Sequence, residues 1–253
     1  MSEDAVNGSF AFFGRTYPEQ GSLWMEDITE LHYESNLTTF DMELYIHGSH
    51  ILAEVTPTEE VNNLATLRNL VESAVESLTD QLAFLQGIYV HARMIGVIGP
   101  DGYKHVFGHS HGAISGRFTP EEISEDWMPK IQAIYHTEAG KYLQHCLTDF
   151  RLALEHAEDT GFYCYRAVES LRQYFKSKGV SKTESWSDLR DAVEIDRDTI
   201  EENIKQYADD RRHGDPTSIT NEDRTRVLET AWEIIRGFVE FADSELTTQQ
   251  SSE

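Results

Sequence analysis

Arg211, Arg212 and His213 stand in a row, with Gly214 after them. Guanidinium groups can clamp a phosphate and an imidazole can move a proton near neutral pH, so this trio is the candidate site for metal-independent phosphate-ester chemistry or anion binding. That chemistry would use His213 as acid/base and Arg212 as phosphate clamp, with Arg211 beside them. From Asn203 to Arg226, five cations (Lys205, Arg211, Arg212, Arg224, Arg226) are matched by five acids (Asp209, Asp210, Asp215, Glu222, Asp223). The stretch is therefore locally neutral in a chain of formal charge −24 and is among the least repulsive places for an anion. The same residues also make an ordinary helix C-terminus: Arg and His suit the negative dipole end, Gly214 suits a left-handed residue and Pro216 blocks continuation.

Other groupings are weaker. His105, His109 and His111 share one face if Lys104 to His111 is extended, but no cysteine lies nearby and Asp101 belongs to a turn, so no metal is assigned. Phe162, Tyr163, Tyr165, Tyr174 and Phe175 could stack nucleobases; at helical spacing they read as core or dimer contacts. There is no Walker loop, and the glycines of Ile95-Gly96-Val97-Ile98-Gly99 precede a turn instead of opening a helix. No cofactor site is expected.

The 253 residues include 45 Asp and Glu against 21 Lys and Arg, of which only 7 are lysine. Dominant carboxylates with Arg preferred to Lys look like adaptation to a high-salt cytoplasm. A large negative field repels phosphates at ordinary ionic strength, which argues against constitutive non-specific nucleic-acid binding, although salt screens the repulsion. Cys146 and Cys164, the only cysteines, fall in helical segments, so a reducing compartment is favoured over a disulfide framework. Met1-Ser2-Glu3-Asp4 lacks a basic region followed by an apolar run, and no long apolar stretch occurs. The expectation is a cytoplasmic protein with no membrane partner.

The elements that must position these residues divide into two kinds. Phe40, Met42, Leu44 and Ile46 alternate with polar residues, and a turn at Gly48-Ser49-His50 leads to Ile51, Leu52 and Val55, which predicts a hairpin. A second hairpin pairs Ile88 to Ile98 with Tyr103 to Gly108 across Gly99-Pro100-Asp101-Gly102. Between them Thr58-Glu59-Glu60 is read as opening an amphipathic helix that runs through Leu64, Leu67, Leu70, Val71, Val75, Leu78, Leu82 and Leu85. Phe10 to Thr16 and Leu31 to Tyr33 add strands to the same layer. From Thr119-Pro120-Glu121-Glu122, a capping box with Pro at the first helical position, the period becomes helical. Helices are expected at about 137–155, 161–176, 185–193, 197–212 and 221–246, joined by short links. The fold class is α+β: an N-terminal antiparallel sheet with one packed helix at 1–118, an all-α bundle at 119–246 and a disordered tail at 247–253.

Tyr165-Arg166-Ala167-Val168-Glu169-Ser170-Leu171-Arg172-Gln173-Tyr174-Phe175, then Trp186, Ile200 and Ile204, then Ala208-Asp209-Asp210-Arg211-Arg212-His213-Gly214, resembles the paired signatures of HEPN-type helical domains over about 137–246. The resemblance implies a helical bundle that commonly dimerises, with RNA as partner and, in many members, metal-independent ribonuclease activity. The usual motif there is an arginine, four to six residues, then a histidine. Counting back from His213, those positions hold Ala208, Tyr207 and Gln206, none of them basic, so the catalytic carry-over fails in its usual form. The N-terminal part is similar in order and size, without a motif, to strand-rich domains that precede HEPN-like regions in some proteins linked to phage defence. Three readings follow: an RNA-associated or interaction module without the standard catalytic motif, a metal-independent endoribonuclease using His213, Arg212 and Arg211, or a structural adaptor. Candidate partners are RNA and a second copy of the chain through the helical half.

Overall fold

The computed structural model describes residues 8–17, 29–59, 63–108, 111–112, 114–214 and 217–250. Two compact units divide the chain at Met1–His109 and Ser110–Glu253.

In the first unit six strands form one antiparallel sheet: β1 (Phe10–Tyr17), β2 (Thr29–Glu34), β3 (Thr39–His47), β4 (His50–Pro57), β5 (His91–Ile98) and β6 (Lys104–Val106), in the order β2-β3-β4-β1-β5-β6. The alternation that predicts β3 and β4 is the alternation that buries them. Phe40, Met42, Leu44 and Ile46 point to the core with Ile51, Ala53 and Val55, while Asp41, Glu43 and Glu54 face outward. Gly48 and Ser49 both take positive φ (55° and 66°), the geometry of a two-residue hairpin turn whose twist matches its strands. Helix α1 (Leu64–Gln86) buries Leu67, Leu70, Val71 and Val75 against the sheet. Its start differs from the sequence expectation: Asn63 is the cap, accepting the Thr66 amide at 3.0 Å, and Thr58 and Glu59 lie outside the helix. Residues 60–62 fall outside the described residues. Where β5 bulges opposite Phe13 and Gly14, the buried Glu72 of α1 accepts the Met94 amide at 2.6 Å and pairs with Arg68 at 2.7 Å. Those bonds satisfy a carboxylate that burial would otherwise penalise.

The second unit is helical: α2 (Pro120–Glu122), a π-helical turn (Ile123–Trp127), α3 (Met128–Tyr135), α4 (Glu138–Glu155), α5 (Thr160–Ser177), α6 (Lys182–Val193), α7 (Arg197–Ile200), a second π-helical turn (Glu201–Lys205), α8 (Gln206–Arg212) and α9 (Asn221–Gln250). Thr119 and Glu122 make the expected capping box. An equivalent box, Ser181 with Glu184, starts α6 at Lys182, earlier than its apolar residues alone suggest. Helix α9 includes Thr247 to Gln250, which the sequence reading gives to a tail; 251–253 fall outside the described residues. Helix α5 is the centre, packing against α4, α6, α8 and α9 and burying Val168, Leu171, Tyr174 and Phe175. Among the described residues no helix is long and apolar enough to cross a membrane.

Candidate functional site

Arg211 and Arg212 close α8, and His213 and Gly214 form the turn that follows. The His213 amide donates to the Asp209 carbonyl at 3.1 Å and the Gly214 amide to the Arg211 carbonyl at 3.1 Å, with Gly214 at φ 79°. These are the bonds of a helix C-terminus with a left-handed residue beyond it. Arg211 points back to the start of α5, donating from Nε to Asp159 at 2.9 Å and pairing with it at 2.8 Å through a second nitrogen. Arg212 pairs with Asp209 at 3.3 Å and sits 5.9 Å from the centre of the Tyr165 ring. His213 is exposed. The trio is adjacent in sequence but diverges in space: each arginine meets its own carboxylate, and the histidine stands apart. Asp215 and Pro216 fall outside the described residues.

Tyr165 leads to a second place. It forms part of a cavity of about 390 Å³ whose other lining residues come from α6 (Lys182, Thr183, Trp186, Arg190), α7 (Arg197, Ile200) and the π-helical turn (Glu201, Lys205). Four cations and one carboxylate converge there. Glu201 pairs with Lys205 at 2.6 Å and lies 3.6 Å from Arg197, whereas Lys182 and Arg190 have no ion-pair partner among the described residues. Tyr165 and Trp186 stack with centroids 6.1 Å apart and planes 24° from parallel. Burial, reinforced by Glu169, Asp209 and Glu201 and opposed by Arg212, pushes the Tyr165 hydroxyl up to about 12, so it stays a neutral donor.

Behind Trp186 lies Arg172, only 4 % exposed, with its guanidinium 5.4 Å from the indole centre. One nitrogen donates to the Ser185 hydroxyl at 3.3 Å and Nε has no partner. No carboxylate lies within ion-pair distance of it among the described residues. The other buried arginine of this unit among the described residues, Arg224, is hydrogen-bonded to the Leu154 carbonyl at 2.8 Å and the Thr160 hydroxyl at 3.0 Å, and the exposed Arg166 forks onto the buried Asp149, Nε to Oδ2 at 3.1 Å with a second bond to Oδ1.

The helical segments position this set. The capping box fixes the first turn of α6, whose first two amides, those of Lys182 and Thr183, have no acceptor within their helix. Lys182, Trp186 and Arg190 then follow at intervals of four, on one helix face. The π-helical turn carries Glu201 and Lys205 to the facing side, a departure from α geometry of the kind often found at working sites.

Of the aromatic residues considered for stacking, Tyr165, Tyr174 and Phe175 are buried, and of these Tyr165 borders the cavity. Cys146 and Cys164 are fully buried free thiols, and burial pushes both well above the usual thiol range, which leaves them unreactive. The extended run needed to align His105 with His111 stops at Val106, and His109 falls outside the described residues. Among the described residues no group of three His, Cys, Asp or Glu side chains is placed to hold a metal ion.

A family model described as "Domain of unknown function (DUF8168) C-terminal domain" matches residues 128–243. The match marks a distinct C-terminal domain and contains every residue of the cavity and of the Arg211–His213 turn. No curated protein and no solved structure matches the chain.

Proposed function

We propose that the C-terminal domain is a HEPN-like module that associates with RNA and lacks the usual catalytic motif. The observation that carries this reading is the convergence of Lys182, Arg190, Arg197 and Lys205 beside Tyr165 and Trp186, in a chain whose formal charge is −24. Cations beside aromatic faces are the chemistry of single-stranded nucleic-acid binding: the charges meet phosphates and the rings meet bases. In a chain this acidic, a local concentration of positive charge is where a polyanion can approach. The order of elements also supports the resemblance, with the Arg166–Arg172 helix followed by the short helix of Trp186, the helical run of Ile200 and Ile204 and the Arg212–His213 turn.

The neutralised arginines favour binding over cleavage. Arg211 and Arg212 are each engaged by a carboxylate, and the chain has no basic residue at 206, 207 or 208 to join His213 on one helix face.

A gel shift with labelled single-stranded RNA, run beside a metal-free incubation of the same RNA, tests the reading. The expected result is a retarded complex with intact RNA, weakened by K182E and R190E and unaffected by H213A. Cleavage abolished by H213A would overturn the non-catalytic reading in favour of an endoribonuclease. Absence of a complex at every salt concentration would leave a structural adaptor.

A further inference from the structure

We propose that the α5–α6–α7 cavity takes a phosphate monoester borne next to a nucleobase, as at the phosphorylated end of an RNA strand. The proposal rests on the RNA-associated reading and narrows it from a strand to a strand end.

Charge is the first argument. Four cations and one carboxylate give the lining a net charge of +3. An internal phosphodiester brings a single negative charge, whereas a monoester carries about −1.5 to −2 near pH 7. The excess in this cavity matches the monoester better.

Shape is the second. The concavity, about 390 Å³ and partly open to solvent, lies near the lower bound, roughly 300 Å³, of pockets that hold one small ligand, and is short for a run of several nucleotides. One nucleotide is the natural occupant. Trp186, partly exposed and stacked with Tyr165, gives the cavity an aromatic wall for its base, and the Tyr165 hydroxyl is a neutral donor.

Arg172 supplies the third and independent argument. A guanidinium almost fully removed from water is normally paired with a carboxylate or fully hydrogen-bonded, because burying an uncompensated charge is costly. Arg172 has one hydroxyl, one indole face and an unpartnered Nε. Arg172 does not itself line the cavity, so an anion beside Trp186 would act on it as a counter-charge across the indole, without a hydrogen bond, in a low-dielectric setting. Lys182 and Thr183, whose amides are the first two of α6 and have no acceptor within the helix, also line the cavity.

The test compares one short RNA sequence with a 5′-phosphate, a 3′-phosphate or hydroxyls at both ends, each titrated by fluorescence anisotropy into the full chain at fixed KCl. A nucleoside monophosphate serves as competitor. One phosphorylated end should bind at least about tenfold more tightly than the hydroxyl-ended strand, the difference expected of charge-assisted hydrogen bonds to a second phosphate charge. That preference should vanish in the double variant K182Q/R190Q and persist in R151Q, which alters an exposed pair on α4. Helical circular dichroism and melting should match wild type in both variants. Equal affinity for all three strands would overturn the strand-end proposal while leaving RNA association intact. No RNA binding with retained nucleoside monophosphate binding would overturn both and assign the cavity to a free nucleotide. Loss of all binding in wild type would overturn both outright.

Discussion

Asp149 is 5 % exposed on α4 and takes its counter-charge from the forked guanidinium of Arg166 on α5. Removing Arg166 leaves that carboxylate buried and unpaired, which costs more than the pair itself contributes. Arg166→Ala should therefore lower unfolding free energy in urea by about 2–3 kcal/mol. Adding Asp149→Asn to the same chain should recover part of the loss, and additive losses in the double-mutant cycle would show that the pair is not coupled. Glu158 presents the opposite case. Burial raises its carboxyl above the usual 4.5, outweighing the Ser218 hydrogen bond and the Arg211 charge, and its Oε1 has no partner. A carboxyl whose pKa is raised by folding contributes stability below its unfolded value and loses that contribution as pH rises through its folded value. Glu158→Gln should consequently raise the melting temperature at pH 7 and leave it unchanged at pH 4. An equal gain at both pH values would mean that ionisation is not the cause.

Helices α5 and α8 approach closely because Gly161 has no side chain. A Cβ there would lie 2.7 Å from the Tyr207 Cβ and 2.8 Å from the Tyr207 carbonyl carbon, closer than real Cβ contacts. Alanine has the better helix propensity by up to about 1 kcal/mol, yet overpacking of this kind typically costs about 1–3 kcal/mol. Gly161→Ala should lower the melting temperature and, by displacing the helical run that carries Glu201 and Lys205, weaken RNA binding; a more stable variant with normal binding would refute the close-approach account. Much at this scale was legible in the residues. The outward and inward alternation of β3 and β4 and the Thr119 capping box appear in the structure where the sequence places them. Thr58-Glu59-Glu60 misleads because it imitates a helix start, while Asn63 performs the capping. Ser181-Lys182-Thr183-Glu184 carries the same box pattern as Thr119 to Glu122 and was the available signal for the true start of α6. The cavity was not legible. Lys182, Arg190, Arg197 and Lys205 read as helix surface residues and Tyr165 as a core or dimer contact, spread over about forty positions, until α5, α6 and α7 pack together. Arg211 to His213 shows the reverse, a compact motif whose two arginines turn to different carboxylates.

Across the whole molecule the excess of carboxylates must be tolerated by both units, and the sheet shows where it strains folding most directly. Glu43 on β3 lies opposite Glu30 on β2 and opposite Glu54 on β4, so three exposed carboxylates form a row across adjacent strands. Directly opposed residues have Cβ atoms roughly 5 Å apart, and like charges at that spacing are destabilising by an amount on the order of 0.2–1 kcal/mol per pair. The Debye length falls from about 10 Å at 0.1 M salt to about 3 Å at 1 M, so molar KCl screens a repulsion that dilute buffer leaves in force. If the −24 charge reflects adaptation to high salt, the wild-type unfolding midpoint should rise steadily with KCl, and Glu43→Gln should stabilise the N-terminal unit in dilute buffer by about 0.5–1 kcal/mol. That gain should shrink towards zero at molar KCl, because glutamine removes only a repulsion that salt has already screened. A gain independent of KCl would assign the effect to strand propensity, and full wild-type stability in dilute buffer would remove the case for a high-salt protein. Screening also bears on the cavity in the other unit. The same KCl that relieves net repulsion of a polyanion weakens each cation–phosphate contact, so RNA affinity should fall less steeply with salt than the four lining cations alone would dictate.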